Sequence, residues 1–179
     1  MAFFDLPSAS EISPEARQIL DEYKQLTGRE EWAPTWHVYA RLPGVLGARL
    51  NAFKSMYVAP SFPSDAKNIA VMLIAHARRC TACFSASRAL LQRLGFDEPT
   101  LDGYCANPAV LPLKERDRLF VQYTLKIATG SADLTPKDFR EMEASGFSRY
   151  EIQEMIAFAA FWVFNIVFSQ SATAGLAEE

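Results

Sequence analysis

The chain is poor in cysteine and has no excess of basic residues, and both shortages narrow the classes of protein to which it can belong. It contains three cysteines in 179 residues. That is too few for a secreted scaffold held together by disulfides, and the odd number leaves one unpaired. Lysine and arginine number 18 against 21 acidic residues, for a net charge of −3. We therefore expect no nucleic-acid partner, because such binding normally requires a basic face.

Targeting signals and long apolar segments are also scarce. The first residues show no basic segment followed by an apolar one, so we expect no signal peptide and a cytoplasmic location. The longest apolar run covers 156–168, thirteen residues interrupted only by Asn165. A membrane-spanning helix takes about 20 residues, so we expect no membrane partner. A helix that is apolar on all faces must be buried on all faces, either as the central helix of one protomer or partly against another subunit.

Alternating strand patterns are rare, whereas start and stop signals for helices occur along the whole chain. Ser13-Pro14-Glu15 combines an N-cap, a proline and an acid, and predicts a helix to about Thr27-Gly28. The same logic places helix starts near Ser64, Pro112, Thr135-Pro136 and the capping box Ser148-Arg149-Tyr150-Glu151. We predict an all-α fold of seven or eight helices, with no flexible linker dividing the chain.

Two cysteines three residues apart are the most informative feature of the chain. Cys80 and Cys83 lie between an apolar run and a leucine-rich helical segment that ends at Gly95. At a helix N-terminus, N–H groups and nearby cations such as Arg78 and Arg79 stabilise a thiolate. The second sulfur lies within one turn and can resolve a mixed disulfide. The spacing therefore predicts a redox-active dithiol.

The sequence from about Ser64 to Leu176 resembles the AhpD-like (alkylhydroperoxidase D) and carboxymuconolactone decarboxylase family, in its peroxidase-related branch. Three stretches carry the resemblance: 67–71 leading into Cys80-Thr81-Ala82-Cys83, 85–95 with its leucines and Gly95, and 134–138 followed by Gly146-Phe147-Ser148 and Glu151-Ile152. The resemblance implies an AhpD-like domain over 63–179 with an N-terminal helical extension over 1–62. It also implies a homo-oligomer, a trimer or a hexamer.

The same resemblance implies a proton relay that this chain lacks in part. Active members have a glutamate twelve residues before the first cysteine and a histidine four residues after the second, and these positions are Asn68 and Ser87 here. The resemblance assigns attack on peroxide to Cys83 and resolution to Cys80. His76 lies four residues before Cys80, and on an uninterrupted helix it would share a face with both cysteines. The bend that the family has before its first cysteine would remove that alignment. A satisfied core histidine is the alternative.

Three functions remain open at this level. The first is a thiol–disulfide oxidoreductase of alkylhydroperoxidase type that reduces a peroxide or a partner disulfide and needs no cofactor. The second is a degenerate member that acts as a binding or assembly module with idle cysteines. The third is a family enzyme acting on a non-peroxide small molecule. The retained cysteine pair argues against the decarboxylase branch, whose active site lacks it.

Other chemistry-bearing residues have ordinary structural explanations as well. Structural zinc is not expected, because Cys105 and His37 do not complete a tetrahedral set at suitable spacing. The stretch from Trp32 to Tyr39 is interpreted as core packing, with a substrate pocket and His37 as an extra base as the alternative. Four arginines surround the dithiol and could bind an acidic partner or a carboxylate, or form a solvated helix face; they are Arg78, Arg79, Arg88 and Arg93.

Overall fold

The computed structural model describes residues 5–58 and 61–172, and it contains no strand among them. Nine α-helices lie in these ranges: α1 Pro14–Thr27, α2 Pro34–His37, α3 Pro43–Phe53, α4 Ser64–Ala77, α5 Thr81–Arg93, α6 Glu98–Ala106, α7 Glu115–Gly130, α8 Pro136–Ala144 and α9 Arg149–Ala172. The all-α prediction is confirmed. The predicted seven or eight helices become nine when the single turn α2 is counted. Residues 1–4, 59–60 and 173–179 of the predicted domains lie outside the described residues.

The helix ends follow the capping chemistry in the sequence. The Ser13 hydroxyl accepts the N–H of Ala16 at 3.1 Å, and Gly28 ends α1 in the left-handed region at φ 64°. At α8 the Thr135 N–H and hydroxyl both donate to Asp138, at 2.7 and 2.8 Å. These local bonds satisfy backbone groups that a helix terminus leaves without partners.

One predicted helix start was displaced by three residues. The sequence placed it at Pro112, but α7 begins at Glu115 after an extended Lys114. Glu115 and Asp117 occupy the first turn, where negative charge interacts favourably with the helix dipole. The acidic pair therefore marked this start better than the proline did.

The chain divides into two compact units. The first comprises the described residues of Met1–Val58 and Val167–Glu179, and the second those of Ala59–Ile166. The first unit contains α1 to α3, and the second contains α4 to α8 with most of α9. The candidate dithiol belongs to the second unit.

The first unit is built around a stack of aromatic rings with an arginine inside it. Trp36 stacks on Tyr23 at 3.6 Å between ring centroids. The buried Arg49 guanidinium lies 4.0 Å from the Trp36 ring and 4.4 Å from the Tyr39 ring. Tyr39 in turn stacks on Phe168 at 3.6 Å. Core packing of Trp36 is thus confirmed, and cation–π attraction compensates the buried charge.

The central helix of the second unit is α4. Its residues from Ala66 to Ala75 are all buried, and α4 packs mainly on α5 and α7. One charged side chain lies in this segment: the Lys67 ammonium is 3.8 Å from a Glu154 carboxylate oxygen of α9. The same oxygen accepts the N–H of Ser61 at 3.1 Å. Burial lowers the pKa of Lys67 to about 8, against the attraction of Glu154.

Helix α9 is only partly buried, although its apolar run led us to expect burial on all faces. By length and composition alone it could cross a membrane, which is weak evidence because core helices of soluble proteins pass the same test. Met155 and Phe158 lie in the core, while Ile156 and Phe164 are 37% and 45% exposed. One face of α9 is therefore apolar and uncovered in the single chain.

The Lys67 pKa predicts a specific dependence of stability on pH. An unfolded lysine titrates near pH 10.4, so between about pH 8 and 10 the unfolded chain holds a proton that folded Lys67 has lost. The free energy of unfolding should therefore rise with pH in this window, by on the order of 1–3 kcal/mol. Urea unfolding of the wild type and of Lys67→Met at several pH values measures this rise. An equal slope in both proteins would contradict the assignment.

Candidate redox site

A sharp chain reversal separates α4 from the cysteine helix. The Arg79 N–H donates to the His76 carbonyl and the Cys80 N–H to the Ala75 carbonyl, both at 3.0 Å. Arg79 has φ 56°, in the left-handed position that glycine usually takes in this motif and that costs other residues about 1–2 kcal/mol. The helix does not run through to the cysteines. The bend implied by the family resemblance is present, and the straight-helix arrangement of His76, Cys80 and Cys83 is excluded.

The two cysteines form a disulfide at the N-terminus of α5. Their Cα atoms are 5.3 Å apart, within the usual range for a disulfide. Cys80 is the N-cap residue, and its sulfur accepts the N–H of Cys83 at 3.3 Å. Cys80 is only 2% exposed, whereas Cys83 is partly exposed. The prediction of a CxxC at a helix start is confirmed, and a reagent from solution reaches Cys83 first.

The two relay positions hold groups that do not titrate near neutral pH. The Ser87 hydroxyl lies one turn after Cys83 and donates to the Cys83 carbonyl at 2.8 Å. Asn68 lies in α4 and is 6% exposed, and its carboxamide makes no hydrogen bond within the described residues. Both side chains can orient a water molecule or a peroxide oxygen, but neither can take up a proton.

The two histidines lie in different surroundings. His76 is exposed in the last turn of α4, and its ring centroid is 5.2 Å from that of Phe84 in α5. A relay role for His76 therefore stays a prediction. His37 belongs to the first unit, where its Nε2 lies 2.8 Å from the Pro7 carbonyl oxygen and its ring meets the edge of Trp32.

Two of the four arginines around the dithiol are held by protein groups, and the other two are exposed. The sequence alone could not distinguish them. Arg78 donates to the Ala128 carbonyl at 3.1 Å, near the C-terminus of α7. Arg88 pairs with Asp102 at 2.6 Å and with Glu98 at 3.4 Å. Arg79 and Arg93 are exposed, and within the described residues no carboxylate pairs with either.

The third cysteine remains a thiol. Cys105 is half-buried in the last turn of α6, and burial raises its pKa. It therefore lies at a helix end. Across residues 5–58 and 61–172, no three histidine, cysteine or acidic side chains are grouped so that they could hold a metal ion.

The residue that the sequence analysis missed is Lys67. A lysine inside the run Ala66-Lys67-Asn68-Ile69-Ala70 was a readable signal, because a buried ammonium needs a partner. Its partner Glu154 lies 87 positions later, a separation over which no sequence pattern identifies contacts.

Comparison with solved structures shows the fold. The chain is similar to the AhpD-core, uncharacterized peroxidase-related protein from Ralstonia eutropha JMP134, with TM-score 0.77 and 18% identity over 94% of this chain and 88% of the other. It is similar to the uncharacterized peroxidase-related protein from Silicibacter sp. TM1040, with TM-score 0.77 and 20% identity over 96% and 90%. No protein-family model and no curated protein matches the sequence. The chain therefore has the AhpD-like fold predicted from its motifs.

Proposed function

We propose that this chain is a thiol–disulfide oxidoreductase of alkylhydroperoxidase type. It reduces a peroxide or a partner disulfide by cycling Cys80 and Cys83 between dithiol and disulfide. The observation that carries the proposal is the pairing of a buried N-cap sulfur with a partly exposed sulfur in the first turn of one helix. That arrangement gives the Cys83 sulfur access to substrate. It also keeps the Cys80 sulfur within bonding distance, so that Cys80 can attack the oxidised Cys83 and form the disulfide.

In the reduced protein, Cys80 carries the thiolate. In the disulfide its sulfur accepts the Cys83 N–H and lies at the positive end of the α5 dipole, and both interactions favour the ionised form once the bond is reduced. Cys83 is the sulfur that substrate reaches. Its proton passes to the Cys80 thiolate, because Asn68 and Ser87 offer no base. This transfer is uphill, because it protonates the stabilised Cys80 thiolate and leaves the charge on Cys83. We therefore expect slow turnover at neutral pH.

Reduction of the peroxide then needs no further reactant, and a donor thiol must reduce the resulting disulfide before the next turnover. The Cys83 sulfur attacks the terminal oxygen of the peroxide, the O–O bond breaks, and Cys83 sulfenic acid and an alkoxide form. The alkoxide takes the proton from Cys80 and leaves as the alcohol. The Cys80 thiolate attacks the Cys83 sulfur, the disulfide forms, and hydroxide leaves. The dithiol has given up two electrons, and the peroxide has received them.

The direct test uses the tryptic peptide 80–88, which contains both cysteines and excludes Cys105. Reduced protein treated with one equivalent of cumene hydroperoxide should show loss of two hydrogens in this peptide and release one equivalent of alcohol. A Cys105→Ser variant is the matched control and should behave identically. Sulfenic or sulfinic acid on a single sulfur, with no disulfide, would refute the resolving role.

A non-catalytic module is the second candidate, favoured by the absence of both titratable relay groups at Asn68 and Ser87. In that case the peptide 80–88 stays reduced at one equivalent of peroxide. The same experiment therefore separates the two functions.

We further propose that the chain forms a homo-oligomer, a trimer or a hexamer, through the exposed apolar face of α9. Ile156, Ala157, Ala160 and Phe164 recur at helical spacing on that face and are exposed in the single chain. Light scattering should give a multiple of the 20.0 kDa chain mass, and Phe164→Glu should dissociate it. Leu94→Glu, at a 50% exposed apolar residue outside α9, is the control that should leave it intact. A wild-type monomer at micromolar concentration would rule this out.

A further inference from the structure

We propose that the thiol which reduces the Cys80–Cys83 disulfide carries a negative charge beside its sulfur, and that Arg79 selects it. The inference rests on the proposed function and names the class of its electron donor. It makes Arg79 a specificity-determining residue of the redox site.

The surroundings of the dithiol are cationic although the chain as a whole is acidic. Residues 76–93 contain four arginines and one histidine and no aspartate or glutamate, in a chain of net charge −3. Asp102 and Glu98 neutralise Arg88, and Arg78 is held at a carbonyl of α7. Arg79 is exposed and has no carboxylate partner within the described residues. Its charge is therefore available to a molecule that approaches the disulfide.

Arg79 is also the cation closest to the reactive sulfur along the chain. Consecutive Cα atoms are about 3.8 Å apart, and the Cα atoms of Cys80 and Cys83 are 5.3 Å apart. The Arg79 Cα therefore lies within about 9 Å of the Cys83 Cα. Arg93 is exposed on the same helix, but ten residues beyond Cys83 place it about 15 Å away along the axis. Arg93 is thus a matched cation outside the site.

The charge acts on a defined step. The donor thiolate attacks the partly exposed Cys83 sulfur, the Cys80–Cys83 bond breaks, and Cys80 leaves as a thiolate stabilised at the α5 N-terminus. A second donor thiolate attacks the donor sulfur of the mixed disulfide and releases Cys83. Two donor thiols are oxidised to one disulfide, and the protein disulfide is reduced to a dithiol. A carboxylate on the donor is attracted by Arg79 in the first attack.

The experiment compares three small thiols that differ in charge: 3-mercaptopropionate, 2-mercaptoethanol and cysteamine. Second-order rates of reduction are measured at low ionic strength for the wild type and for Arg79→Ala. They are read from the tryptic peptide that contains both cysteines, which is 80–88 in the wild type and 79–88 in Arg79→Ala. The ratio of the two rates for each thiol removes differences in intrinsic reactivity. Alanine retains a Cβ, so the left-handed backbone requirement at this position is unchanged.

Because each donor attacks as a thiolate, the reacting forms of 3-mercaptopropionate, 2-mercaptoethanol and cysteamine are dianionic, monoanionic and neutral overall. We expect the wild-type to Arg79→Ala rate ratio to fall in that order, from about 3 to 10 for the first to about 1 for the last. The ratios should approach 1 at about 1 M salt, where the Debye length is about 3 Å. Arg79→Lys should retain the order, and Arg93→Ala should behave as wild type.

Rate ratios that did not depend on the charge of the thiol, or an equal effect of Arg93→Ala, would overturn the inference. The proposed function would still stand in that case, provided that 2-mercaptoethanol reduced the disulfide. Failure of all three thiols to reduce the wild-type disulfide would overturn the proposed function and this inference with it.

Discussion

Cys83→Ser is expected to lose peroxide turnover by at least about three orders of magnitude, because the attacking sulfur is removed. Of the remaining thiols, Cys80 is buried and Cys105 lies in another helix with its pKa raised by burial. Cys80→Ser should behave differently. Cys83 still attacks, at a lower rate without the Cys80 thiolate as base, but its sulfenic acid finds no resolving thiol. Single-turnover assays should give less than one equivalent of alcohol for Cys83→Ser and one equivalent for Cys80→Ser, without recycling in either.

Cys105→Ser serves as the control for both variants, since it removes a thiol that lies in another helix and whose pKa burial raises. Its turnover should match that of the wild type. If Cys83→Ser retained steady turnover, the assignment of Cys83 as the entry sulfur would be wrong.

The double variant Asn68→Glu with Ser87→His restores the glutamate and histidine of the relay. It should increase peroxide turnover near neutral pH by about one to three orders of magnitude. General acid–base catalysis is typically worth about 10²–10⁴-fold, and here the wild type must rely on the Cys80 thiolate alone. Wild-type activity should rise towards alkaline pH, because Cys83 then ionises without a base, and the double variant should flatten that dependence. Steady-state peroxide turnover from about pH 6 to 9 measures both effects.

The single variants should give much less than the double, because the glutamate and histidine act as a unit. Ser85 is exposed on α5 two residues before Ser87, so Asn68→Glu with Ser85→His is a matched control with the same groups off the relay position. A double variant no faster than the wild type would favour the non-catalytic module. Fast wild-type turnover at pH 7 would mean that another group, such as His76, moves the proton.

Local chemistry allowed much of the fold to be predicted from the sequence. The N-cap of α1, its terminal Gly28 and the capping arrangement of Thr135 with Asp138 all act within a few residues, and all were readable. Gly95 ends the cysteine helix at φ 98°, as its position suggested. These signals specify helix ends because a few side-chain and backbone bonds decide them.

Contacts between distant segments could not be predicted in the same way. The sequence indicated that the apolar run in α9 is buried on all faces, within one protomer or partly against another subunit, yet the helix buried over ten consecutive residues is α4, which carries Lys67. The pairing of Lys67 with Glu154 and the capture of Arg88 by acids of α6 depend on tertiary packing. For the same reason the sequence could not identify Arg79 and Arg93 as the arginines of this region that have no carboxylate partner among the described residues.

The central claim is that Cys80 and Cys83 form a reactive dithiol. It is tested most directly by the ultraviolet absorbance of thiolate against pH in the reduced Cys105→Ser protein, where these two are the only cysteines. The account predicts that the first proton is lost well below pH 8.5 and the second well above it, because one thiolate at the helix N-terminus suppresses ionisation of its neighbour. Two protons lost together near or above about pH 8.5, as for free cysteine, would contradict it.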